Sequence, residues 1–459
     1  MIVRTLRAVE EMVDGNGLAE SFYDTAIKGV STDTRTIQPG NLYIPLKGAN
    51  FNGHAFVADA FAKGASAALW EKNEANPPTN VPLIFVDDTL QALQQLANRY
   101  RKQLAVKVVG ITGSNGKTTT KDMVYGLLAS TYKVQKTEGN LNNHIGVPLT
   151  LLRLKEDTEI AVVEMGMSNF GEIELLSKIS EPSVAIITNI GESHLQELGS
   201  RDGIARAKLE IVSGLQSDGV FVYYGDEPLL QTRVKNIKRP LRMVTFGQKI
   251  ANDYYPTDIS LEVNGTSFTV NQAPDYRLFL PILGRHHVYN ALAAISVARL
   301  FHVSWEAIQA SLAELQMTKM RMEIIKAVNG ATMINDAYNA SPTSMKAALE
   351  LLFELTGYEK KIAVLGDMLE LGDQEIEFHQ QIGRMLQSEK LDYVLTYGKR
   401  AGHIALAAQH SFPRGRVQAY DDKQALARDL RSIASARDLI LFKASRGMRL
   451  EDIIRDLQA

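Results

Sequence analysis

Val106–Met123 reads V-K-V-V-G-I-T-G-S-N-G-K-T-T-T-K-D-M, and the remaining sequence is best read outward from it. The apolar run from Val106 to Ile111 has the continuous Val/Ile character of a strand buried on both faces. Gly110, Gly113 and Gly116 then punctuate a turn. Beyond it Met123, Val124, Leu127 and Leu128 recur at three- and four-residue spacing, which predicts a helix over 117–128 with one buried face. A glycine turn between strand and helix lets successive N–H groups face inward, and the helix start adds partial positive charge, so the junction is suited to phosphate. Gly113, Ser114, Asn115, Gly116, Lys117, Thr118 and Thr119 are the candidate nucleotide contacts. Lys117 would reach the β- and γ-phosphates of ATP, and the Thr118 hydroxyl would hold Mg²⁺. The spacing is a variant, with Ile111 where the general pattern has its first glycine. The chain has no N-K-x-D sequence, which argues against a guanine-specific switch.

A chain of 459 residues is too long for one core and suggests about three domains. Hydrophobic residues at 45% and charged residues at 22% are ordinary globular values, so no large disordered tail is implied. A net charge of -2 disfavours nucleic acid as a partner while leaving room for a local basic pocket. Zero cysteines exclude disulfides and thiolate metal sites. The first residues, M-I-V-R-T-L-R, carry early charges unlike a signal peptide, and no apolar run approaches a membrane span. The expected location is the cytoplasm.

Taken in order, residues 1–104 hold short strands, Leu42 to Leu46, Ala67 to Trp70 and Pro82 to Val86, in a small mixed α/β unit. Within it S-T-D-T-R (Ser31 to Arg35) and F-N-G-H (Phe51 to His54) stand out, although Asp33 and Arg35 taken alone fit a solvated turn. A helix over 89–104 leads to residues 105–317, where strands at Ile160 to Val163, Val184 to Thr188 and Val220 to Tyr223 alternate with helices over roughly two hundred residues. That alternation predicts a mainly parallel sheet with its site at the strand carboxyl ends. Glu164 and His194 follow such ends, and Lys208 lies on a helix; read singly, they fit a surface carboxylate, a structural histidine and a solvated lysine equally well. From 318 to 459 strands and helices again alternate, without G-x-G-x-x-G after the first strand, so a doubly wound domain without a dinucleotide site is expected.

Together these motifs resemble the Mur ligases, the ATP-dependent amide-forming enzymes of bacterial cell-wall precursor synthesis. The resemblance implies a small mixed α/β N-terminal domain, a central P-loop-type ATPase domain with a mainly parallel sheet, and a C-terminal Rossmann-like domain for the amino substrate and for closure over ATP. It makes Ser31, Asp33, Arg35 and His54 candidates for gripping a uridine diphosphate sugar, with Asn52 where the family usually has aspartate. It makes Glu164, His194 and a carbamylated Lys208 ligands of Mg²⁺ beside Thr118, and, with Lys117, the catalytic set. Asn140, Asn142 and Asn143, in T-E-G-N-L-N-N-H-I-G-V-P, would line the muramoyl-peptide channel. L-G-R-H-H-V-Y-N resembles G-x-H-N-x-x-N, with His287 for the first asparagine, and makes Asn290 an adenine-side contact. Arg321, in K-M-R-M-E, and Asp336, in N-D-A-Y-N-A-S-P, would meet ATP from the third domain.

The asparagine-rich loop and the absence of D-N-P-R point to the branch that adds a dipeptide. The substrates implied are UDP-MurNAc-tripeptide, D-Ala-D-Ala and ATP, handled by a monomer through an acyl phosphate. Two rivals stay open: a related ligase taking another amine, and a nucleotide-sugar binding protein without turnover.

Overall fold

The computed structural model describes residues 1–262 and 264–458. Ala459, the end of the expected third segment, lies outside the described residues. The chain divides into two compact units. One comprises Met1–Thr112, Thr131–Ile186 and Leu209–Phe221, and the other Gly113–Ser130, Ile187–Lys208 and Val222–Ala459.

The first unit contains a four-stranded parallel sheet in the order Val30–Ser31, Leu42–Tyr43, Ala67–Glu71, Leu83–Val86. Tyr43, Ala68, Trp70 and Leu83 pack from it against Val57 and Ala60. The expected strand at Leu42 to Leu46 is shorter than its apolar run, because Pro45 has no N–H to give to a ladder. The helix Thr89–Gln103 is capped by Asp88, whose side chain accepts from Gln91 N at 2.8 Å, and it buries Leu93, Leu96, Ala97 and Tyr100. The strand Lys107–Thr112 follows, with Ile160–Glu164 parallel beside it and Val134–Lys136 parallel at the outer edge. Every residue of Ile160–Glu164 is buried, as its unbroken apolar run requires.

The second unit contains the helix Lys117–Ala129, which packs on Arg285–Leu300 and Trp305–Ala313. The expected alternation of strands and helices is interrupted at Pro256–Glu262, Gly265–Val270 and Ala273–Leu280, which form an antiparallel three-stranded sheet. None of the residues of Pro256–Glu262 is buried, so its alternating side chains answer to a half-solvated face rather than to a two-sided core. The C-terminal sheet runs Glu323–Lys326, Thr332–Asn335, Leu439–Lys443, Lys361–Gly366, Tyr393–Tyr397, Val417–Tyr420. Its first pair is antiparallel and the rest are parallel, giving the doubly wound arrangement with an added edge strand. Among the described residues no helix is long and apolar enough to cross a membrane.

Candidate active site

In the second unit the loop after Thr112 closes as the glycines demand. Gly116 caps the helix in the left-handed region at φ 79°, and a Cβ there would lie 2.5 Å from Asn290 Oδ1. A Cβ on Gly113, at φ 152°, would fall 1.8 Å from Thr188 Oγ1. Both positions therefore exclude a side chain, and the Asn290 predicted from its motif abuts the loop itself. Asn189 stiffens the turn: its carbonyl accepts from Ser114 N at 3.1 Å and its Oδ1 from Asn115 N at 2.9 Å. The N–H groups that open the helix, from Lys117 onward, have no intrahelical acceptor by construction and form the anion-binding end. Lys117 Nζ folds over its own loop and donates to Gly113 O at 2.8 Å.

Thr118 is buried, and Arg321 NH2 donates to its hydroxyl at 3.4 Å. The Arg321 guanidinium stacks on Tyr338, 4.1 Å from the ring centroid, which holds it flat at this position. Asp336 pairs with Lys443 and accepts from Met322 N at 3.3 Å, so it orients the residue next to Arg321. Ser341 donates to Asn115 Oδ1 at 3.2 Å, and Thr343 donates through its hydroxyl to Glu192 at 2.7 Å.

Lys208 is 1% exposed, and among the described residues no carboxylate pairs with it. Burial, and secondarily Lys117, push its amine well below the usual lysine range. The deprotonated amine is the form that takes up CO₂, and the resulting carbamate would place an oxygen donor where the unmodified side chain has a nitrogen. His194, at φ 63°, presents Nδ1 2.9 Å from Glu370 Oε2. His287 is buried, which lowers its basicity well below the ordinary imidazole, and its Nδ1 lies 3.4 Å from Asn290 Nδ2.

In the first unit Glu164 is 3% exposed at the end of its strand. Its Oε1 accepts from Asn142 Nδ2 at 2.8 Å, while its buried Oε2 accepts nothing. An orphaned buried carboxylate oxygen fits a cation ligand. Among the described residues no three His, Asp or Glu side chains converge as a ready metal site. Within the second unit the groups of the expected set able to give oxygen or nitrogen to Mg²⁺ are the Thr118 hydroxyl, His194 and, once carbamylated, Lys208.

The three asparagines divide by role. Asn142 holds Glu164, whereas Asn143 Oδ1 accepts from Gly146 N at 2.8 Å and caps the following helix; Asn140 is exposed. Ser31 shapes the turn that presents Asp33, donating to Asp33 O at 2.9 Å. Arg35 grips Asp33 with Nε and NH2 and holds its carboxyl down to about 2, leaving a guanidinium whose side chain is 86% exposed. His54 is spoken for: Nδ1 lies 2.8 Å from Asn52 Oδ1, and Nε2 accepts from Glu71 N at 3.2 Å. It sets the backbone around the site instead of reaching out of it.

Sequence reasoning missed Asn189, Glu192 and Glu370. Asn189 and Glu192 stand in T-N-I-G-E-S-H (Thr188 to His194), where a polar run after a buried strand was the available signal. Glu370 stands in the motif L-G-D-M-L-E-L-G (Leu365 to Gly372), but its contact could not be read there because its partner His194 is remote in sequence.

Comparison with known proteins agrees with this geometry. Residues 26–101 match the Mur ligase family catalytic domain, 111–298 the Mur ligase middle domain and 320–446 the Mur ligase glutamate ligase domain. A UDP-N-acetylmuramoyl-tripeptide–D-alanyl-D-alanine ligase from Bacillus subtilis is 52% identical, over 100% of this chain and 99% of its own. The crystal structure of MurF from Acinetobacter baumannii superposes with a TM-score of 0.90 at 32% identity, covering 100% of this chain and 99% of that one. The MurF ligase of Thermotoga maritima in complex with ADP gives 0.83 at 29% identity, over 94% and 97% of the two chains.

Proposed function

This chain belongs to the Mur ligase family, and from that premise we infer the reaction it performs. It is an ATP-dependent ligase that joins D-alanyl-D-alanine to UDP-N-acetylmuramoyl-tripeptide, giving the UDP-MurNAc-pentapeptide, ADP and phosphate. The observation that carries this reading is the end-to-end match to a ligase of that name. It is supported by a glycine cradle whose two tight positions admit no side chain.

A carboxylate is a poor acylating agent, so the γ-phosphoryl group is first moved onto the tripeptide carboxylate. Lys117 and the helix-start N–H groups offset the charge of the transferred group. Arg321 approaches the same end of the cradle through Thr118. Mg²⁺, held by Thr118, Glu164, His194 and carbamylated Lys208, would supply additional charge neutralisation to the phosphates. The dipeptide amine then attacks the acyl phosphate, and phosphate leaves. Ser31, Asp33 and Arg35 are assigned to the uridine diphosphate end of the substrate, with His54 behind them, and Asn140, Asn142 and Asn143 to its peptide end. Asn290 is assigned to the adenine side, and Asp336 to positioning Arg321. The domain limits that accompany these roles are 1–104, 105–317 and 318–459. The cytoplasm, where ATP and nucleotide sugars meet, is the assigned location.

The test is phosphate release from ATP with UDP-MurNAc-tripeptide and either D-Ala-D-Ala or single amino acids. Dipeptide-dependent release, lost in Lys117→Ala with the circular dichroism spectrum unchanged, is the expected result. Release driven by a single amino acid would reassign the amine, and an active Lys117→Ala protein would refute the role of the loop.

A further inference from the structure

Within the second unit the helix Lys117–Ala129 meets the segment 315–321 at three points in register. Thr118, Asp122 and Gly126 lie at four-residue steps and so share one face of that helix. Against them, at three-residue steps running the other way, stand Arg321, Thr318 and Leu315. A Cβ on Gly126 would fall 2.4 Å from Leu315 Cδ2, so this glycine, unfavourable inside a helix, makes the room that lets the segment lie close. Asp122, 1% exposed, accepts through one oxygen from Thr318 N at 3.0 Å and from the Thr318 hydroxyl at 2.6 Å. Arg321 NH2 completes the series on the Thr118 hydroxyl.

The middle point is the firmest of the three. Hydrogen bonds to an ionised acceptor are the stronger class, and two donors from one residue fix its direction as well as its place. The chain beyond Thr318 needs such a hold. Met320 and Met322, on either side of Arg321, both lie in the left-handed region, at φ 63° and 51°. Residues other than glycine keep that backbone where the surroundings over-determine it, commonly at functional sites. Glu323 accepts from Met320 N at 3.0 Å and Asp336 from Met322 N at 3.3 Å, so the strained residues are held by the strand pair that follows them. Asp122 supplies the hold on the preceding side. What this frame presents is a guanidinium with a donor to spare, since the buried Arg321 Nε gives its hydrogen to no group among the described residues.

We propose that Asp122 is a positioning residue for the reaction: its grip on Thr318 fixes the register in which Arg321 is presented to the phosphate end of the glycine cradle. The assignment rests on the ligase reading above, and it adds how the arginine is aimed. Thr118 and Asp122 stand one turn apart, roughly 6 Å along the helix, so the helix that opens at the phosphates also measures out where Arg321 sits over them.

The experiment removes the hydroxyl donor in Thr318→Val, at an exposed position and with little change of shape, and restores it in Thr318→Ser. These variants are preferred because Asp122→Asn would also strip the buried Lys121 of the carboxylate 3.6 Å from its Nζ. Phosphate release from ATP with UDP-MurNAc-tripeptide and D-Ala-D-Ala gives kcat and the ATP KM, while amide hydrogen exchange over residues 318–322 reads the hold itself. Thr318→Val should lower kcat about tenfold or more, the worth of a hydrogen bond to a charged group, with the ATP KM changed by less than about twofold. The amides of Met320 and Met322 should exchange faster, and Thr318→Ser should recover both properties. In an Arg321→Gln background Thr318→Val should change the residual kcat by less than about twofold, because the residue it acts through is gone. An unchanged kcat, an equal loss in both backgrounds, or exchange indifferent to the hydroxyl would overturn the positioning role and leave the reaction intact. Exchange that follows the hydroxyl in a parent protein without dipeptide-dependent phosphate release would instead overturn the ligase reading and uphold the register.

Discussion

Replacing Gly116 by alanine isolates how much the phosphate cradle depends on a missing side chain. Two costs add. Alanine at φ 79° sits in the left-handed region, which costs an L-residue about 1–2 kcal/mol. Its Cβ would also meet Asn290 Oδ1 at 2.5 Å, so that oxygen must retreat by 0.9 Å (3.4 less 2.5) to reach ordinary contact. Because Asn290 is itself buried, the retreat displaces a side chain assigned to the nucleotide. The combined expectation is a loss of about 1–3 kcal/mol in stability and at least a tenfold weaker ATP complex. Urea denaturation monitored by circular dichroism and titration calorimetry with a non-hydrolysable ATP analogue measure the two separately. Gly116→Ala/Asn290→Gly should be less destabilised than the sum of the single variants, since removing the asparagine relieves the contact but not the backbone strain. Unchanged midpoint and affinity in Gly116→Ala would refute the argument altogether. Strict additivity in the double variant would refute its steric half.

Other expectations follow from single contacts. Lys208→Ala should lose turnover and regain part of it with added acetate, a small carboxylate able to occupy the space of a carbamate; electron density beyond Nζ in a crystal of the parent would show the modification directly, and full activity without acetate would contradict it. The Asp33–Arg35 pair holds the Asp33 carboxyl at about 2 against an ordinary 3.8, so its contribution is present above the ordinary value and disappears as pH falls through the lowered one. Because the pair is exposed, the stability difference between parent and Asp33→Asn should stay below about 1 kcal/mol at neutral pH and vanish near the lowered value; a difference that grows on acidification would have the wrong sign. His54→Ala should cost roughly 1–3 kcal/mol by unfolding, because both ring nitrogens serve the protein's own groups. An effect on substrate KM with no change in stability would return His54 to direct contact.

The phosphate loop was legible because each of its signals is local: an apolar run, three glycines and a helical period lie within one short stretch. The doubly wound C-terminal segment was legible for a similar reason, since its buried parallel strands are written as separate apolar runs. What escaped depends on partners distant in the chain. Nothing in N-L-N-N distinguishes Asn142, which holds the strand-end carboxylate of Glu164, from Asn143, which caps a helix; only the fold assigns them. His54 read as a ligand because its motif is shared with ligand-binding domains, yet its nitrogens are satisfied by Asn52 and Glu71. The antiparallel strands at Pro256–Glu262 and Gly265–Val270 carry alternating apolar residues and an Asn-Gly pair in the sequence, a signal that the reading of this segment as strand–helix alternation left unused.

The chain passes between its two units at Thr112/Gly113, Ser130/Thr131, Ile186/Ile187, Lys208/Leu209 and Phe221/Val222. Interleaving of this kind constrains birth as well as architecture. As the polypeptide leaves the ribosome, the first unit lacks its last segment until Phe221 has emerged, by which point pieces of the second are already waiting for the residues that will complete them. No single contiguous stretch of sequence contains either unit whole, and the first is complete only once synthesis has passed Phe221.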